Sequence, residues 1–230
     1  MSIYAISDLH LSFNDDSKSM EFFGPDWKDY VNRIKNNWIE TVKEEDTVLI
    51  GGDISWANNL EEVKKDFEFI NSLPGKKIMI KGNHDYYFST MKKVKRFLKE
   101  NNFDTISVLF NNSYVVEDVA ICGTRGWGNV GEAYENVDSH KIVLREICRL
   151  KLSYESLSKE DRKKEIIVLT HFPPFYHEFK EALKEIGAKV CIYGHLHGNG
   201  QYMVKQGIID GINYIMVSGD YTGFKLIKIK

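Results

Sequence analysis

Short apolar runs alternate with longer amphipathic stretches along most of this chain. Residues 2–7, 47–51, 76–81, 166–170 and 188–193 are brief, rich in Val and Ile, and stopped by polar residues or glycine. They read as buried strands. Between them, residues near 27–43, 58–72, 89–100, 139–157 and 177–186 carry helical spacing. In the fourth of these, Val143, Ile147, Leu150, Tyr154 and Leu157 recur at intervals of three and four, which sets them on one helix face. Ser89 or Thr90 is placed to cap the third helix. The alternation is the signature of an α/β fold.

Two regions depart from it. Residues 201–230 alternate Tyr, Met, Val, Ile and Phe with polar residues around Gly207, Gly211, Gly219 and Gly223, a pattern of hairpins. Residues 106–124 read as two strands joined at Asn111-Asn112. The expected core is therefore two mixed β-sheets flanked by helices. A length of 230 residues fits one domain spanning 1–230.

Composition narrows the class. Hydrophobic content of 43% and charged content of 28% suit an ordinary soluble globular protein. A net charge of −2 argues against a nucleic-acid or membrane-surface binder. Cys122, Cys148 and Cys191 are an odd number, far apart and without a CxxC, so neither a disulfide framework nor a thiolate zinc site is expected. They read as small buried hydrophobes. The N-terminus lacks a basic, then apolar, leader, and no run nears the ~18 apolar residues of a membrane span. The cytoplasm is the expected location.

The chemistry lies where the apolar runs end. Five of seven histidines fall in four blocks: Asp8-Leu9-His10, Gly82-Asn83-His84-Asp85, His171, and Gly194-His195-Leu196-His197. A fifth block, Gly51-Gly52-Asp53, carries a carboxylate. Each block alone recurs by chance. Five in series, each after a predicted strand, point to one site at strand ends. In extended backbone, residues two apart point the same way, so Asp8 with His10, and His195 with His197, can each face one ion. Asp53 has two oxygens and suits bridging two ions. The amide oxygen of Asn83 is a hard, neutral donor.

Imidazole and oxygen donors together suit Mn, Fe, Zn, Co or Ni and suit Ca poorly. Two divalent or trivalent transition-metal ions, Mn, Fe or Zn foremost, are the expected cofactors. Such ions about 3.5–4 Å apart activate water and neutralise phosphate oxygens. The expected reaction is phosphoester hydrolysis by a metal-bridging hydroxide. His84, beside Asn83, is then available as general acid to the leaving group, with Asp85 placed to orient it.

As a series, DxH, GD, GNH[DE], a lone His and GHxH resemble the pattern of the calcineurin-like metallophosphoesterase superfamily, and all five elements stand in order over residues 8–197. The resemblance implies a four-layer αββα sandwich. It implies one metal on Asp8, His10, Asp53 and His197, the other on Asp53, Asn83, His171 and His195, and His84 as the catalytic histidine. The chain departs from the Ser/Thr protein phosphatases, whose second block runs on as GDxVDRG and whose third ends GNHE. Here the second reads Gly52-Asp53-Ile54-Ser55-Trp56 and the third ends in Asp85. The GNHD form is similar to the bacterial phosphodiesterase-type branches.

Weaker signals surround these blocks. Gly126-Trp127-Gly128-Asn129-Val130-Gly131 matches GxGxxG, but a polar loop follows where a dinucleotide fold needs a helix. A Gly-rich substrate loop fits better, with Arg125 on a phosphate oxygen and Trp127 on an aromatic leaving group. Trp56, Tyr86 and Tyr87 are read as cleft or core. His140 and His177 are read as surface or capping residues, and Lys92-Lys93-Val94-Lys95-Arg96 as a solvated helix face. The expected substrate is a small-molecule phosphodiester or phosphomonoester. A nuclease of the same superfamily and a non-catalytic metal-binding scaffold are the alternatives.

Overall fold

The computed structural model describes residues 1–128 and 137–230, which form two compact units. Unit 1 holds Met1–Val108 and Val217–Lys230, and unit 2 holds Leu109–Met216. Among the described residues no helix is long and apolar enough to cross a membrane.

Unit 1 opens with β1 (Ile3–Ile6), α1 (Tyr30–Thr41), β2 (Thr47–Ile50), α2 (Lys64–Ser72), β3 (Lys76–Met79), α3 (Met91–Glu100) and β4 (Ile106–Val108). In α1, Tyr30, Ile34 and Trp38 are buried at intervals of four, one face of the helix. The Trp38 indole N–H donates to the Pro74 carbonyl at 3.0 Å. The Thr90 side chain caps α3 by accepting from the Lys93 amide, and Val94 and Leu98 form its buried face.

Unit 2 follows with β5 (Tyr114–Val116), β6 (Val119–Gly123), α4 (Val137–Glu155), β7 (Glu165–Leu169), α5 (His177–Glu185), β8 (Ala188–Tyr193), β9 (Gly207–Ile209) and β10 (Ile212–Met216). The last strand, β11 (Ile227–Lys228), returns to unit 1. In α4, Val143, Ile147 and Leu150 are buried as the periodicity predicts, and the helix packs against β6 and α5.

Each unit is built on a mixed sheet. The first has the order β11-β1-β2-β3-β4, parallel from β1 to β4 with β11 antiparallel at the edge. The second has the order β5-β6-β7-β8-β10-β9, parallel from β6 to β10 with an antiparallel strand at each edge. Register aligns the strand ends. Ile6 pairs with Ile50 and Ile50 with Met79. In unit 2, Gly123 pairs with Leu169 and Leu169 with Ile192. The loops that leave these ends carry the five blocks.

Four expectations need correction. Asn111-Asn112 is no hairpin turn, because β4 pairs with β3 in the first sheet and β5 with β6 in the second. The turn of that hairpin lies at Glu117-Asp118, with Glu117 left-handed at φ 53. Residues 201–230 give one hairpin, β9–β10, about Asp210-Gly211, both at positive φ as a type I′ turn requires; β11 joins the other sheet. The second helix starts at Lys64, since the Asn59 side chain ties the Glu61 and Glu62 amides into a turn before it. Cys122 and Cys191 are buried, but Cys148, on α4, is exposed.

Candidate functional site

In unit 1 the loops after β1, β2 and β3 present Asp8 with His10, Asp53, and Asn83 with His84. The expectation of extended backbone for Asp8 and His10 is not met. Both are left-handed, at φ 59 and 45, as is Asp53 at φ 49. Asp and His adopt this region more readily than most residues, and such positions concentrate at functional sites. The turns still bring one donor atom each of Asp8 and His10 within 4.8 Å.

These loops are pinned to one another by main-chain bonds. The Asp8 amide donates to the Gly52 carbonyl at 2.9 Å, and the His10 amide to the Asp53 carbonyl at 3.0 Å. Gly82 is required here: a Cβ would lie 2.1 Å from Asp53 Oδ1 and 2.2 Å from its amide nitrogen. The Asp8 carboxylate is fully buried. Its Oδ2 accepts from the Ser7 hydroxyl and, at 2.8 Å, from the Ser218 hydroxyl.

Asp53 is the centre of unit 1's set. Its side chain is 2% exposed, and Oδ1 accepts the His84 amide at 2.8 Å. Oδ2 lies 3.9 Å from His10 Nε2 and 4.0 Å from His84 Nε2. The Trp56 ring stacks on His10 at 4.9 Å and 22°, and tilts against His84 at 4.4 Å. The Tyr30 hydroxyl donates to the His10 carbonyl at 2.9 Å. Asn83 is half-buried in the same loop as His84.

Asp85 is placed otherwise than expected. Its buried carboxylate accepts from the amides of Gly82 at 2.7 Å, Ile54 at 2.8 Å and Ser55 at 3.3 Å, and from the Tyr87 hydroxyl at 3.0 Å. It ties the third loop to the second and does not orient the His84 ring. Burial, and then the nearby Asp53 charge, push its carboxyl up to about 6. Tyr87 is thereby core, while Tyr86 is 58% exposed beside His84.

In unit 2 the donors are imidazoles. His171 follows β7 and is fully buried; its amide and that of Phe172 both donate to the Arg125 carbonyl at 3.0 Å. The Gly194 amide returns to the His171 carbonyl at 3.0 Å. His195 is left-handed at φ 74, with its ring centroid 5.1 Å from that of His171 and 4.2 Å from that of Phe172. One donor nitrogen each of His171 and His195 lie within 4.8 Å. His197 is half-buried and extended, at φ −118.

Arg125 and Trp127 belong to the same cluster. The guanidinium lies 5.0 Å from the Trp127 ring, and Trp127 tilts on Phe172 at 5.2 Å. Arg125 also faces the buried carboxylate of Glu146 at 3.9 Å, which accepts the Thr124 hydroxyl at 2.6 Å. The glycines of the GxGxxG string have local reasons. Gly126 is left-handed, and a Cβ on Gly128 would strike the Tyr176 ring at 1.9 Å. Asn129, Val130 and Gly131, with the rest of the loop to residue 136, lie outside the described residues. Of the two histidines read as surface residues, His140 approaches Glu178 at 3.4 Å and His177 opens α5.

The donors fit the implied metal. They are carboxylates and imidazoles without a thiolate, closely set within each unit, and buried or half-buried. Ser218, Phe172 and Asp66 were not visible from spacing. Asp66, buried on α2, accepts the Phe13 amide at 2.9 Å and the Ser55 hydroxyl, and so ties the first loop to the second.

Comparison with known proteins gives the family. The sequence profile described as calcineurin-like phosphoesterase matches residues 1–199. Uncharacterized protein L509 of Acanthamoeba polyphaga mimivirus is 24% identical over 274 aligned positions, covering 95% of this chain and 92% of that one. The crystal structure of AQ665 from Aquifex aeolicus, a protein of unknown function, is similar at a TM-score of 0.52 and 19% identity, covering 99% of this chain and 95% of that one. TT1561 of Thermus thermophilus is similar at a TM-score of 0.59 and 10% identity, covering 99% and 97%. At such identities the two structures speak to the fold alone. The profile match over residues 1–199, with an α/β fold of two mixed sheets and buried carboxylate and imidazole donors, leads to one conclusion: the chain belongs to the calcineurin-like phosphoesterases, dinuclear metal-dependent hydrolases of phosphoester bonds.

Proposed function

We propose that this chain hydrolyses a small-molecule phosphodiester or phosphomonoester, with metal ions on Asp8, His10, Asp53, Asn83, His171, His195 and His197. In this reading Asp8, His10 and His197 serve one ion, Asn83, His171 and His195 the other, and Asp53 both. The observation that carries it is the placing of Asp53. One buried carboxylate is anchored through Oδ1 by the His84 amide, and its Oδ2 faces both His10 and His84.

When bound, the ions supply Lewis-acid activation of water and neutralise charge on phosphate oxygens. The chain's own part is positional and acid–base. Ser7 and Ser218 both donate to Oδ2 of the Asp8 carboxylate and hold that oxygen in place. The His84 side chain is 33% exposed and offers its imidazole to the leaving-group oxygen, donating a proton as the ester bond breaks. Arg125, stacked on Trp127, meets a substrate phosphate oxygen or the group beyond it.

The test is hydrolysis of aryl phosphate mono- and diesters with added Mn²⁺. The wild type should turn over, and Asp53→Asn and His84→Ala should each lose at least ~100-fold in kcat. Full activity in either variant would sink the reading.

A further inference from the structure

We propose that Trp56 is a positioning residue, a single indole that sets the planes of both His10 and His84; this rests on the metal and leaving-group roles proposed above. Two imidazoles with different tasks meet one aromatic face system. The indole lies nearly parallel to the His10 ring, at 4.9 Å and 22°. It contacts the His84 ring at 4.4 Å and 55°. Trp27 closes on His10 from another direction, edge-on at 5.8 Å. His10 and His84 are themselves 5.7 Å apart, so the three rings form one cluster.

The platform is itself fixed. The Trp56 amide donates to the Leu11 carbonyl at 3.0 Å, and the Leu11 amide to the Ile54 carbonyl at 2.9 Å. Lys18 Nζ donates to the Trp56 carbonyl at 3.3 Å. The indole is therefore attached to the same two loops that carry His10 and Asp53, and any shift of one loop is felt by the rings on both.

The contacts between the indole and the two imidazoles are ring contacts. The indole's buried Nε1–H has no acceptor among the described residues. An aromatic ring of another kind should thus replace it, whereas an aliphatic side chain of similar bulk should not. Offset or tilted ring contacts prefer defined geometries that a branched alkyl group does not impose. A residue serving only to fill space would accept Leu as readily as Phe.

The experiment compares Trp56→Phe and Trp56→Leu with wild type in three readouts. These are thermal unfolding, Mn²⁺ affinity by calorimetry, and kcat and KM on an aryl phosphodiester. Trp56→Leu should bind Mn²⁺ about 3- to 10-fold more weakly and lose kcat by a similar or larger factor, with KM held within about twofold. Trp56→Phe should restore most of both. A second measurement needs only the Phe variant. The emission difference between wild type and Trp56→Phe isolates Trp56, and Mn²⁺ should quench it over the concentration range that saturates catalysis.

Equal Mn²⁺ affinity and kcat for Leu and Phe in folded variants would overturn the proposal, as would Trp56 emission that ignores Mn²⁺. In either case an active wild type leaves the proposed function standing. A wild type inactive on every phosphoester, whose Mn²⁺ affinity nonetheless falls in Trp56→Leu and is restored in Trp56→Phe, would sink the function and keep only the positioning of His10.

Discussion

Main-chain bonds and ring contacts hold the donor loops of both units, but the two units use their buried carboxylates differently. In unit 1, left-handed loops are locked by buried carboxylates that face main-chain amides and hydroxyls, Asp85 across Gly82, Ile54 and Ser55, and Asp66 across Phe13 and Ser55. In unit 2, the His171 and His195 loops are locked by amide-to-carbonyl bonds and by rings, while the buried carboxylate of Glu146 faces Arg125, Arg145 and Arg149 at 3.5–3.9 Å. In unit 1 the Asp85 and Asp66 carboxylates reach amides and hydroxyls of neighbouring loops, whereas in unit 2 Glu146 stands on α4 among arginines. Imidazole rings carry their own apolar surface, so His10 in unit 1 and His195 in unit 2 are both held against aromatic rings.

The comparison is broken most severely at Gly82. A Cβ there meets the Asp53 amide nitrogen and carboxylate at about 2 Å, and neither can yield without moving the loop. Gly82→Ala should cost about 3–5 kcal/mol in urea unfolding. The unit 2 counterpart, Gly200→Ala, meets nothing nearer than Leu196 Cδ2 at 3.9 Å. Asp85→Asn comes next. An amide cannot accept four hydrogen bonds as the carboxylate does, so one or two buried donors are stranded. The variant should lose about 2–4 kcal/mol by the same measurement, and should lower kcat by displacing the Asp53 and His84 loops together.

Asp66 gives an effect that depends on pH. Burial raises its carboxyl from 3.8 to about 6, against the hydrogen bonds from Ser55 and Phe13. Between those values the folded chain holds a proton that the unfolded chain has released. Stability therefore falls as pH rises from about 4 to 6, by about 2–3 kcal/mol. Asp66→Asn lacks this group, so its stability relative to wild type should improve over that interval and stay level above it. A parallel pH course for the two proteins would show that unit 1 does not keep this carboxyl buried. The smallest effect is expected at Gly200→Ala, within about 0.5 kcal/mol of wild type.

Much of this was legible in the chain. Each buried strand and each helix of the alternating pattern is present, because a short continuous apolar run marks a strand buried on both faces and a 3.6 period marks the helix face that meets a core. Of the hairpins read over residues 201–230 one is present, about Asp210-Gly211. Strand pairing was less legible. The strands on either side of Asn111-Asn112 look like a hairpin by spacing, yet they pair in different sheets. The role of Asp85 was misread for a similar reason. Adjacency to His84 suggested a partner, but the buried carboxyl is claimed by amides 30 and 31 residues away.

By itself the sequence determined the donor types, their order, and their place after successive strands, since these are properties of single residues and local periodicity. Only the tertiary structure decided their orientation. Left-handed turns at Asp8, His10, Asp53 and His195, Ser218 reaching Asp8 across 210 residues, and Trp56 lying on His10 all depend on which strands become neighbours and in what register. Long-range hydrogen bonds and ring contacts leave no periodic trace in the chain, because their partners are set by the packing of the sheet and not by their sequence neighbours.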